Sequence, residues 1–143
     1  MDRDLREKIV AEARGWAGVR FRHCGRSRRG VDCIGLLVAV YSVALGTIID
    51  ATTVVYERRP TSAVAFAAVA HFADRIAPND AGPGDIVQMR YGGQSSHFAI
   101  LTPQGIIHSA AQLHRVVEHA IPSGSEGMIV AFWRIKGVPP WRN

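Results

Sequence analysis

Cys33, His97 and His108 are residues of the types, in an order along the chain, that could carry out nucleophilic acyl transfer. Cys33 stands in Gly30-Val31-Asp32-Cys33-Ile34-Gly35-Leu36-Leu37. There Asp32 reads as the N-cap of an apolar helix that Leu36, Leu37, Val40, Tyr41 and Ala44 carry inward. A thiol at the positive end of a helix is expected to have a lowered pKa, and the N–H groups of the first turn can donate to an oxyanion. One segment would then supply both nucleophile and oxyanion donor.

Such a thiol needs a base, and two histidines lie in alternating, strand-like stretches. In Ser96-His97-Phe98-Ala99-Ile100-Leu101 the residues His97, Ala99 and Leu101 share a face, and in Ile106-Ile107-His108-Ser109-Ala110 the residues Ile106, His108 and Ala110 do so. Thr102-Pro103-Gln104-Gly105 is a natural reversal between them. A two-residue loop there sets His97 opposite Ala110 with His108 diagonally adjacent on the same face, whereas a three-residue loop breaks that parity. With the two rings adjacent, His97 would take the thiol proton and His108 would orient its ring from the far nitrogen. Each residue alone has a plainer reading, the cysteine as a small buried hydrophobe and the histidines as structural strand residues. The catalytic reading rests on the combination.

Of the remaining histidines, His71 falls in an Ala-rich helical stretch, His114 in a turn and His119 near a strand end, and all three read as structural or exposed. Cys24 beside His23 matches no zinc spacing, so no metal and no cofactor are expected. A Cys24–Cys33 bridge would consume the nucleophile, and reduced thiols are the default reading for two cysteines in a chain of 143 residues.

The elements that must position these groups follow from periodicity. Asp4 to Trp16 places Leu5, Ile9, Ala13 and Trp16 at helical spacing. Val19 to Val31 is a Gly- and Arg-rich loop leading to the cysteine helix, which should end near Gly46. Val54 to Tyr56 suggests a short strand. A further helix is expected after Pro60, capped by Ser62, with Phe66, Val69, Ala73 and Ile76 inward and Pro78 as its stop. Strands are then expected at Asp85 to Tyr91, His97 to Leu101, Ile106 to Ala110, Arg115 to His119 and Met128 to Ile135. Helices first and strands afterwards give an α+β class, with an antiparallel sheet of about five strands packed on the cysteine helix. The whole chain, 1–143, reads as a single domain with a tail at 136–143.

The formal charge of +5 favours acidic partners. Much of it lies in Arg20, Arg22, Arg26, Arg28 and Arg29, where Phe21 is the sole interleaved aromatic, so a base-stacking nucleic-acid surface is disfavoured. The uncharged run from Cys33 to Ile49 is too short for a membrane span. The charged start, Met1 to Lys8, lacks the apolar core of a secretory signal, and synthesis in the cytoplasm without a signal peptide is expected.

The segments around Asp32-Cys33-Ile34-Gly35-Leu36, together with Gly82-Pro83-Gly84-Asp85-Ile86-Val87, Ser96-His97-Phe98-Ala99-Ile100-Leu101 and Ile106-Ile107-His108-Ser109-Ala110, resemble the NlpC-like cysteine peptidases. The resemblance implies a papain-like fold and an endopeptidase acting on the stem peptide of bacterial peptidoglycan through a thioester. Cys33 would be the nucleophile, His97 the base and His108 the orienting residue. The carboxylates that such a stem peptide bears would be held by Arg22, Arg26, Arg28 or Arg29 through bidentate bonds. The resemblance also implies kinship with enzymes carried by phage-like tails, with tail proteins as partners and the periplasm or cell wall as the place of action. One departure is Phe21, where the family usually has a tyrosine, so that His23 or the backbone N–H of Cys33 would have to carry the polar role of the missing phenol. Two other functions stay open on these residues: a non-catalytic tail component with the peptidase fold, and a different Cys-His acyl-transfer enzyme such as an amidase or lipid acyltransferase.

Overall fold

A computed structural model of the chain describes residues 2–49, 67–91 and 94–141. Helix α1, Asp2–Arg14, buries Ile9 and Ala13, and the turns that follow bury Trp16. Helix α2, Cys33–Leu45, opens on Asp32, whose carboxylate accepts from the Gly35 N–H at 2.8 Å, and closes on Gly46 in the left-handed conformation with φ 66°. Both ends are as the sequence predicts.

A small ribbon of β1, Arg26–Ser27, and β2, Gly30–Val31, leads into α2. The main sheet comprises β3 (Ala73–Ile76), β4 (Ile86–Tyr91), β5 (Gln94–Thr102), β6 (Gly105–Ser109), β7 (Val116–His119) and β8 (Ile129–Ile135). Its order is β3-β8-β4-β5-β6-β7, and every pairing is antiparallel. The sheet has six strands where about five are predicted. The addition is β3: Ala73 and Ile76, expected on the inner stripe of a helix, pair instead with Ile135 and Phe132. Helical structure covers 67–70 and stops before them. The four-residue segment Ala73–Ile76 gains its hydrogen bonds from β8, a long-range pairing that outweighs local helical preference. The expected strand at Val54–Tyr56, and Pro60, Ser62 and Phe66 of the expected helix, lie outside the described residues.

The sheet is apolar on both faces. On one, Ile86, Phe98, Ile100, Ile107 and Trp133 pack against Leu36, Leu37, Val40 and Tyr41 of α2. On the other, Val87, Met89, Ala99 and Ile106 form a second cluster with Leu101, Ile121, Ile129 and Phe132 around it. The segment read as a tail docks on α1: Arg6 donates to the Pro139 carbonyl at 2.6 Å, and its guanidinium lies over the Trp141 ring.

Candidate active site

The site begins with how α2 is held. Asp32 does three jobs with one carboxylate: it caps Gly35, accepts the Cys24 N–H at 2.8 Å, and lies 3.3 Å from the Arg26 guanidinium. Cys24 is in the left-handed region, φ 58°, an uncommon conformation for a residue with a Cβ. The first turn of α2 presses directly on the preceding loop, because a Cβ on Gly35 would collide with the Gly25 carbonyl oxygen. The start of the helix is therefore clamped on one side by a loop and on the other by the sheet, where the Ser109 hydroxyl donates to the Val31 carbonyl at 2.7 Å.

The histidines are placed by two hairpins. The β5–β6 pairing runs Thr102↔Gly105, Leu101↔Ile106, Ile100↔Ile107, leaving Pro103 and Gln104 as a two-residue loop. Continuing that register puts Ala99 opposite His108 and His97 one step along the diagonal, the parity read from the sequence. The next hairpin repeats it: Ile106↔His119 and His108↔Val117 put His119 diagonal to His108. His97 Nε2 lies 2.7 Å from His108 Nδ1, and His108 Nε2 lies 2.7 Å from His119 Nε2. Successive rings meet edge-on, at interplanar angles of 70° and 67°. His119 Nδ1 donates to the Ala120 carbonyl at 2.8 Å.

The β5–β6 ladder ends at Ile100↔Ile107, short of the residue level of His97 and His108. The sulfur of Cys33 lies near the main chain beyond that end, where the Phe98 N–H, one residue from His97, favours the thiolate. Burial pushes the Cys33 thiol up to about 12, with the Asp32 charge adding to the rise and the N–H groups of Phe98, Ile34 and Cys33 opposing it. This corrects the expectation of a lowered thiol pKa. The helix-end effect depends on partial charges, and here it is outweighed by the loss of solvent around a residue only 9% exposed. Burial likewise holds His97 well below the ordinary histidine value, with His108 contributing, and holds His108 at about 4, with His119 contributing. At neutral pH the site rests as a neutral thiol beside neutral imidazoles.

The expected binding residues divide. Arg22 and Arg26 are exposed on the loop before α2, and His23 Nε2 lies 3.5 Å from the Cys24 sulfur. Arg28 turns to the end of α1, donating to the Gly15 carbonyl at 2.7 Å and stacking over Trp16 at 3.9 Å. Ligand atoms of His23, Cys24 and Asp32 lie within 4.8 Å of one another. The Asp32 oxygens there already receive two main-chain N–H groups and Arg26, an arrangement that serves the helix cap. Phe21 is half-buried and bridges to Val31 in parallel. His119 is the residue sequence reasoning missed, having been read as structural or exposed. Its signal was the repeat of an eleven-residue step, His97 to His108 to His119.

Comparison with known proteins bears on the fold. The chain is similar in structure to the NlpC/p60 domain of the peptidoglycan hydrolase SagA, with a TM-score of 0.61, 24% identity, and coverage of 89% of this chain and 96% of that one. It is similar to the peptidoglycan hydrolase RipB of Mycobacterium tuberculosis, with a TM-score of 0.63, 17% identity, and coverage of 93% and 65%. It is also similar to RipD of the same organism, a non-catalytic NlpC/p60 domain protein adapted to peptidoglycan binding, with a TM-score of 0.60, 14% identity, and coverage of 92% and 97%. Among curated proteins no relative matches. At these identities the likeness speaks for the fold, a papain-like one. The NlpC/P60 family itself matches residues 18–131, which takes in Cys33 and all three linked histidines, and the chain belongs to that family.

Proposed function

We propose that this protein is a cysteine endopeptidase that cuts the stem peptide of bacterial peptidoglycan, with Cys33 as nucleophile, His97 as base and His108 as its orienting partner. The observation that carries the reading is the junction on β5. There the Phe98 N–H acts on the Cys33 sulfur, His97 is the adjoining residue, and His97 is joined to His108 at 2.7 Å.

The neutral resting state shapes the mechanism. A thiol held near 12 is ionised in roughly one molecule in 10^5 at pH 7. The proton therefore passes from Sγ to His97 as Sγ bonds to the substrate carbonyl carbon, not beforehand. The N–H groups of Cys33 and Ile34, which favour the thiolate, are the donors available to the tetrahedral oxyanion. Its collapse breaks the C–N bond, the leaving amine takes the proton from His97, and water then hydrolyses the thioester. Arg22, His23 and Arg26 line the loop before α2 as partners for stem-peptide carboxylates.

Digestion of purified peptidoglycan by the wild type beside Cys33→Ala and His97→Ala, with fragments identified by mass spectrometry, tests this. Fragments cut within the stem, absent with both variants, are expected. Whole stems severed from the sugar would make the protein an amidase instead. A second reading, wall binding without cleavage, is favoured by the buried, protonated thiol and by Phe21 in place of a tyrosine. It predicts that all three proteins bind peptidoglycan and none cuts it. The particle-borne setting expected from the sequence, with action in the periplasm or wall, is a separate proposal that co-purification with tail proteins tests.

A further inference from the structure

We infer that His119 is a positioning residue of this site: with the Ala120 carbonyl it sets, through His108, which ring nitrogen of His97 carries the proton. The inference rests on the proposed function, since it assigns the atom that accepts the Cys33 proton. Three contacts in series set which ring nitrogens donate and which accept. A carbonyl oxygen only accepts, so His119 Nδ1, 2.8 Å from the Ala120 oxygen, bears a hydrogen. A neutral imidazole has one N–H, which leaves His119 Nε2 a lone pair. His108 must then donate from Nε2 across the 2.7 Å contact, which leaves its Nδ1 as an acceptor. His97 must in turn donate from Nε2 across the second 2.7 Å contact. The lone pair of His97 is thereby fixed on Nδ1.

The reverse polarity would set a lone pair of His119 Nδ1 against the Ala120 oxygen, two acceptors in contact. Burial supports the premise that the inner rings are neutral, since both His97 and His108 are held below the ordinary histidine range. The device depends on the second hairpin. Only the Ile106↔His119 register brings the third ring onto the same diagonal, and it is half-buried there while the first two rings are wholly buried. A main-chain oxygen at the rim thus dictates the state of a base in the interior.

The test is ¹⁵N NMR of the histidine rings in the intact protein, paired with kinetics of His119→Leu and His119→Gln. In the wild type, His97 and His108 are expected to show the hydrogen on Nε2 and His119 on Nδ1. His119→Gln keeps an acceptor for His108 and is expected to keep the pattern and the rate. His119→Leu is expected to mix the His97 forms and lower kcat by about tenfold or more with KM little changed. A wild-type His97 protonated on Nδ1 would overturn the inference, as would an unchanged His97 pattern in His119→Leu. If His119→Leu does not fold, the wild-type pattern and His119→Gln decide. Wall fragments absent while the nitrogen pattern is as stated would count against the proposed function and not against the role of His119.

Discussion

Strand β5 has a buried polar cluster at each end, and the two are built on opposite principles. Near its C-terminal end, Asp85 is wholly buried and accepts from Gly82 N–H at 3.0 Å, from Arg134 at 3.0 Å through both oxygens, and lies 3.1 Å from Arg6. Main-chain bonds between Gly84 and Leu101, and between Leu101 and Asp85, tie it to the strand. Near the other end lie three histidines joined ring to ring. The first cluster meets fixed charge with fixed charge, so it has one arrangement and acts as a fastener between α1, β4 and β8. The second uses groups that each donate or accept according to their neighbour, so it can change state without moving. Burial secures the first by making its charges costly to separate, and it keeps the second uncharged.

The sharpest way to test the contrast is to compare losses of activity and of stability. Cys33→Ala and His97→Ala are expected to abolish wall cleavage, by about 10^3-fold or more, while the variants still unfold cooperatively in denaturant. Asp85→Ala should do the reverse. It strands two arginines, one of them 2% exposed, and should cost about 3–5 kcal/mol in urea unfolding while the folded fraction retains its turnover.

Acid separates the clusters more gently. The His108 pKa falls on folding from 6.5 to about 4, so the unfolded chain takes up the proton first as pH drops. The stability this ring contributes is present above pH 6.5 and is lost on the way down to about 4, a fall of roughly 2–3 kcal/mol by thermal or urea unfolding. His97 shifts in the same direction and steepens the slope. His108→Asn, which cannot titrate in this window, should flatten it. An unchanged slope in that variant would place the acid sensitivity elsewhere.

These contrasts also mark what the sequence could disclose. The Asp32 cap and the Gly46 stop are local signals, and the Thr102–Gly105 turn is short enough to carry register, so the relation of His97 to His108 was legible before any coordinates. His119 showed only as the eleven-residue repeat, because the connection from β6 to β7 holds a 3-10 turn at Ala111–Leu113 and a left-handed His114, and no standard loop length fixes its parity. Strand β3 was hidden for another reason: its partner β8 lies some sixty residues away along the chain, and only that pairing makes Ala73–Ile76 a strand. The thiol pKa was misjudged because a helix end can be read from its cap, whereas solvent exclusion depends on β5 arriving from a distant part of the chain. Arg28 looked like its neighbours in sequence until Trp16 and Gly15 claimed it.

The Phe98 amide that acts on the Cys33 sulfur gives a way to follow the proposed reaction. Once that sulfur is acylated or alkylated it no longer carries the charge that this amide favours, and the surroundings of the amide change in mid-strand. Its ¹H resonance should shift, so one backbone signal in the sheet becomes a label-free gauge of whether the Cys33 sulfur is occupied.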